Sequence, residues 1–218
     1  MAKAVLTVKK LCREASNFAV VESTHPEPAL FGVTDGKAVG TYFEHKFRAA
    51  LMLKYTFPKG NSAKGIDFPG LDVDVKVTSI KQPQSSCPFR SARQKIFGLG
   101  YSLLVFVYDK KDDPATRTGT LNVLHTIFVE KHRTGDFQTT RELRRIIEND
   151  GNEDDLVAFM KDRFLPVDDI EAYKIAKELL QKPPEQGYLT ISNALQWRLQ
   201  YGRAISNAGQ VNGVIKVR

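Results

Sequence analysis

Apolar residues recur along this chain with two different periods. Phe43, Phe47, Ala50 and Leu51 fall at i, i+4, i+7 and i+8, the stripe of an amphipathic helix near residues 39–55. Leu6, Leu11, Ala15 and Phe18 are more loosely periodic and predict an earlier helix over 5–20. Between them, Pro26, Pro28, Gly32 and Gly36 break the pattern into loop. From Asp72 the period drops to two. Asp72, Asp74, Lys76 and Thr78 alternate with Val73, Val75 and Val77, which predicts a strand with one charged and one apolar face. Pro69-Gly70 suits the centre of a type II turn, because Pro presets the first φ and Gly supplies the positive second one. That turn predicts a tight hairpin with Asp67 opposite Asp72 and diagonal to Asp74.

A polar loop from Ile80 to Phe89 leads to a helix near 90–98 that ends at Gly98 or Gly100. Tyr101 to Tyr108 is aromatic and β-branched without alternation, so it predicts a strand buried on both faces. Leu121 to Val129 predicts another strand. Helices are expected at 138–149, 153–163, 168–181 and 190–205, and a last strand between Val211 and Val217. This order gives an α/β (α+β) fold with a mixed central sheet of about four to five strands flanked by helices. A chain of 218 residues suits a single domain over 1–218. Within it we expect a core over 38–135 and a helical, DNA-reading C-terminal subdomain over 138–218.

Charge changes this picture more than composition does. The net charge of +7 is unevenly spread. No acid occurs from Val75 to Tyr108, a stretch that holds Lys76, Lys81, Arg90, Arg93 and Lys95. None occurs from Tyr188 onward, where Arg198, Arg203, Lys216 and Arg218 lie. Between Glu142 and Glu171 the acids dominate. Such asymmetry suits one face turned to a polyanion and another to water. No apolar run approaches the roughly 20 residues of a membrane span. Met1 to Leu11 lacks a signal-peptide core. Cys12 and Cys87 have neither metal-ligand nor disulfide-framework spacing, so a cytoplasmic location is expected.

The hairpin also carries the candidate chemistry. Opposed carboxylates destabilise a sheet, and a divalent cation would offset that cost. An acid-x-lysine tripeptide is weak alone, and four occur: Asp35-Gly36-Lys37, Glu44-His45-Lys46, Asp74-Val75-Lys76 and Asp109-Lys110-Lys111. The first and last fall in loops. The second is helical, so its charges diverge by about 200°. Only Asp74 and Lys76 share a strand face, with a further acid upstream in Gly65-Ile66-Asp67. The four histidines do not cluster, and neither HExxH nor a GxxxxGK[ST] loop occurs, so zinc hydrolase and NTP-driven chemistry lack support.

With this context, the stretch from Gly40 to Glu130 resembles the PD-(D/E)XK nuclease superfamily, and within it type II restriction endonucleases. The resemblance implies that Asp67 and Asp74 bind magnesium, that Glu44 on the preceding helix assists with the metal, and that Lys76 positions or activates water. Ile66 stands where the family commonly has proline, and the spacing from Asp67 to Asp74 is short. Asp72 therefore stays open as the alternative metal ligand to Asp67.

Lys81, Gln82, Gln84, Ser85 and Ser86 follow the strand, and Arg90 and Arg93 open the next helix. Gln pairs with adenine, and Arg or Lys with guanine or phosphate, so these are candidate DNA contacts. Asn193, Gln196, Arg198 and Arg203 furnish a second candidate set. The elements around them are loosely similar to a winged helix-turn-helix. The expected activity is magnesium-dependent, sequence-specific cleavage of double-stranded DNA by a homodimer, with a companion DNA methyltransferase. A structure-specific repair nuclease or junction resolvase, or a non-catalytic DNA-binding regulator, are the alternatives.

Overall fold

A computed structural model describes residues 3–58, 65–87, 91–192 and 198–218. In chain order its elements begin with β1 (Ala4–Val5), α1 (Val8–Glu22), α2 (Gly36–Lys54), β2 (Tyr55–Thr56), β3 (Val73–Ser79) and β4 (Gln84–Ser86). There follow α3 (Ala92–Phe97), β5 (Ser102–Asp113), β6 (Thr118–Val129), α4 (Phe137–Glu148), α5 (Glu153–Asp162) and α6 (Asp169–Gln181). The last are β7 (Thr190–Ile191), β8 (Arg198–Gln200), α7 (Gly202–Asn207) and β9 (Val214–Lys216). The fold is the expected mixed α/β class. Among the described residues, no helix is long and apolar enough to cross a membrane.

Two compact units emerge. The first comprises residues 1–85, 102–129 and 208–218. Its sheet has strand order β3-β5-β6-β9. β3 and β5 run parallel, while β5–β6 and β6–β9 are antiparallel. Leu103 to Val107 on β5 are fully buried, as a central strand without alternation requires. The β5–β6 register slips after Val107, which pairs with His125, while Tyr108 pairs with Val123 and leaves Leu124 as the extra residue of a bulge. Leu11, Ala15 and Ala19 of α1 and Phe43, Phe47 and Leu51 of α2 share one core with Leu104, Phe106, Leu121 and Val123 of the sheet. β9 closes the sheet by pairing Ile127 with Lys216 and Val129 with Val214. Arg218 then ties down the last described turn of chain, its Nη1 donating to Val123 O at 2.6 Å and to Ser23 Oγ at 3.1 Å.

The second unit comprises residues 86–101 and 130–207. Its core gathers Ile96, Leu143, Leu156, Met160, Ile175 and Leu179 from four helices. Asp136 caps α4 through the Thr139 N–H (2.8 Å), and its other carboxylate oxygen accepts the Ile191 N–H (2.7 Å). One group thus ends a helix and anchors a strand. Gly187 has no alternative here, because a Cβ would fall 2.1 Å from Gly135 O.

Among the described residues of 190–205, the expected continuous helix is absent. β7 and β8 pair antiparallel there, Ile191 with Leu199, and the short helix α7 begins at Gly202. Ile191 and Leu199 are both buried, which serves strand pairing as well as it would serve a helical stripe. The similarity to a winged helix-turn-helix lapses with that helix. Asn193, Gln196, Trp197 and Arg90 lie outside the described residues.

Candidate active site

α2 starts where Asp35 accepts the N–H groups of Lys37 and Ala38, satisfying two orphan donors of the first turn. Its stripe fixes the helix on the sheet: the rings of Phe43 and Phe47 sit 4.8 and 5.3 Å from that of Phe106, centroid to centroid. Such ring pairs add about 0.5–1.5 kcal/mol each beyond area burial. Glu44 and Arg48 are one turn apart, so they share a face of this fixed helix.

The opposing turn differs from the expected hairpin. Pro69 and Gly70 do occupy its centre, with the Leu71 N–H bonded to Phe68 O at 3.0 Å. Gly70, however, does not take positive φ; Asp72 does, at 51°. Asp tolerates that region better than most residues. Leu71 and Asp72 thus join the turn, and Phe68 faces Val73. The shift removes Asp67 from opposite Asp72 and carries it to Asp74. Asp67 Oδ2 accepts the Val75 N–H at 2.9 Å, and its carboxylate lies near enough to the Asp74 side chain to disfavour a second charge there. Asp72 is exposed, and its carbonyl accepts the Ser102 N–H at 2.8 Å.

β3 is not solvated on its charged face either. Asp74 is 3 % exposed, as buried as Val75. Lys76 Nζ stands 2.7 Å from Asp74 Oδ2. That contact is an ion pair off the direction a hydrogen bond needs, so this buried oxygen lacks a directed donor. Burial and the nearby Asp67 push the Asp74 carboxyl up to about 6, against the pull of Lys76. Burial and the charges of Asp67 and Asp74 likewise push Glu44 up to about 7. Three carboxylates crowd this site, and the cations beside them, Lys76 and Arg48, leave negative charge in surplus.

Among the described residues, no group of three or more His, Cys, Asp or Glu side chains forms a ready-made metal cluster. What the site offers is a carboxylate pair with a third acid beside it. That donor set fits magnesium, which takes one or two carboxylates and fills its remaining positions with water and substrate phosphate.

The other predicted contacts are dispersed. Lys81 and Gln82 are exposed just beyond β3. Thr78 Oγ1 bonds both the N–H and the carbonyl of Gln84, fixing the turn that carries it. Ser85 and Ser86 lie on β4. In the second unit, Arg93 pairs with Glu171 at 3.2 Å and with Glu178, and stacks on Phe97. Arg203 stacks on Phe137 at 3.9 Å, and Arg198 lies on β8. Arg48 escaped the sequence reading. Its Nη2 donates to both Asp67 Oδ1 and Asp67 O at 3.0 Å. The available signal was its place one helical turn after Glu44.

The family model described as type II restriction enzyme NspV matches residues 5–216. A type II restriction enzyme NspV from Nostoc sp. (strain ATCC 29411 / PCC 7524) is 67 % identical over 213 residues, covering 98 % of this chain and 97 % of that protein. No solved structure matches. A family match over nearly the whole length, with a relative of such identity, makes this chain a member of the NspV family of type II restriction enzymes.

Proposed function

We propose that Asp67 and Asp74 hold a divalent cation, magnesium, with Glu44 as the assisting acid and Lys76 as the group that orients the attacking water. The chain is a type II restriction enzyme, a site-specific deoxyribonuclease that hydrolyses phosphodiester bonds of double-stranded DNA. The observation that carries the site assignment is the gathering of three acids, Asp67, buried Asp74 and half-buried Glu44, with Lys76 at 2.7 Å from Asp74. When bound, magnesium acts as a Lewis acid on the phosphate and acidifies a water. The protein's own groups do the rest. Asp74 is held rigid on β3. Lys76 points along the same strand face, so its ammonium donates to a water or to a phosphate oxygen beside the pair. The burial that raises Glu44 gives it a protonation equilibrium near neutral pH, suited to taking up a proton from water.

Lys81, Gln82, Gln84, Ser85 and Ser86 are the proposed contacts beyond β3, and Arg198 and Arg203 those of the second unit. Arg93, held by two glutamates, is a weaker candidate. A homodimer would match the two-fold symmetry of a palindromic site. A cytoplasmic setting with a companion methyltransferase completes the proposal.

The test is digestion of plasmid DNA with magnesium present. Discrete bands are expected, with no cutting after chelation. Lys76→Ala should lower the cleavage rate by about 10²–10⁴-fold and leave DNA binding intact. Full activity in that variant would overturn the site assignment. Nicking confined to branched DNA would favour a structure-specific nuclease instead.

A further inference from the structure

We infer that Arg48 is the positioning residue that fixes Asp67 for cation binding, an inference that rests on the reading of Asp67 and Asp74 as the cation-binding pair. Asp67 needs such a residue because no regular element holds it. It precedes β3, in a segment that reaches Phe68 before the first strand contact, with Val73. Its side chain faces a second carboxylate, and alone it would rotate away from that charge.

Arg48 supplies both missing restraints from one nitrogen. The bond to the Asp67 carbonyl fixes the backbone, and the bond to Oδ1 fixes the side chain, each at 3.0 Å. With Oδ2 on the Val75 N–H at 2.9 Å, both carboxylate oxygens are oriented, and each keeps a lone pair to offer elsewhere. The guanidinium is itself held. It stacks over the Phe68 ring at 5.6 Å, and Phe68 is buried against Phe57. Its helix is pinned to the sheet by Phe43 and Phe47. The chain of support therefore runs from the aromatic core through α2 to the carboxylate. A purely stabilising ion pair would need neither the contact to the carbonyl nor a partner inside the acid cluster.

The experiment measures Mn²⁺ binding without DNA, from the electron paramagnetic resonance signal of the free ion. Arg48→Ala should weaken binding about 10–100-fold, the usual cost of losing a group that orients a metal ligand. Arg48→Lys should recover part of it, since a lysine keeps the charge but loses the planar group stacked on Phe68. In an Asp67→Asn background, Arg48→Ala should cost nothing further, because it acts through Asp67. Mn²⁺ affinity in Arg48→Ala equal to wild type, or tighter as simple charge repulsion predicts, overturns the inference. So does an additive loss in the double variant. If Arg48→Ala does not fold, the same cycle is run with Arg48→Lys. An Asp74→Asn protein that keeps full Mn²⁺ affinity would instead strike the assignment of the site, leaving the two failures distinguishable.

Discussion

Two carboxylates on neighbouring helices of the first unit meet opposite fates. Glu14 of α1 is almost buried, at 8 % exposure. Lys54 Nζ and Tyr55 Oη each donate to it at 2.7 Å, and Arg13 lies 3.4 Å away. Those partners, Lys54 foremost, hold its carboxyl below the ordinary range. Glu44 of α2 keeps more exposed surface, yet desolvation, added to by the charges of Asp67 and Asp74, pushes its carboxyl up to about 7. Exposed surface alone therefore does not separate these acids. What separates the two is whether protein donors balance the charge. At Glu14 they do, and the acid acts as structural glue between α1 and the end of α2. Around Asp74 they do not, and the proposed cation would offset the deficit.

The strongest challenge to this contrast is Asp74→Asn. It should cut cleavage by at least about 10³-fold, as expected when a metal site's chemistry is lost, while raising the melting temperature of the metal-free protein. A lower melting temperature without metal would mean that the Asp74 charge is compensated after all. Glu14→Gln should do the reverse. It leaves Lys54 and Tyr55 poorly matched and costs about 1–3 kcal/mol in urea denaturation, with cleavage by the folded protein unchanged.

The pH dependence sharpens the same contrast. Glu44 rises from 4.5 to about 7 and Asp74 from 3.8 to about 6, so between those values the folded state holds more protons than the unfolded one. Stability of the chelated protein should therefore fall as pH rises from about 4 to 7, and magnesium should remove that slope. Glu14 has the opposite sign: its lowered carboxyl contributes stability above its ordinary 4.5 that is lost as pH falls through its folded value. Melting curves across this range, with and without magnesium, check both. The smallest effect is expected for Asp72→Asn. An exposed residue at φ 51° tolerates Asn, so stability should shift by no more than about 0.5 kcal/mol and cleavage should persist. Loss of cleavage there would return the metal site to Asp72.

Which parts were legible in the sequence follows from how local their causes are. α2 and β5 announced themselves because burial of one stripe, or of every position, leaves a periodic trace. The turn was half legible. Pro69-Gly70 marked its centre, but nothing local said that Asp72 would take left-handed φ and carry Asp67 two positions along. The segment 190–205 misled because Ile191 and Leu199 satisfy helical spacing, while the deciding bond comes from Asp136, 55 residues earlier in the chain. Arg48 was invisible for the same reason, since its partner lies 19 residues on and outside any repeat.

The sheet that carries Asp74 and Lys76 is closed by β9, whose partners on β6 lie more than eighty residues earlier, with residues 130–207 of the second unit spelled out between them. That order sets a clock. During synthesis the N-terminal part emerges first, but Ile127 and Val129 wait for their partners until the intervening unit has been made. Bringing those segments together closes a long loop, a step that slows folding. The first unit is therefore among the last parts of the chain to be finished, although its acids at 44, 67 and 74 are among the first to be made.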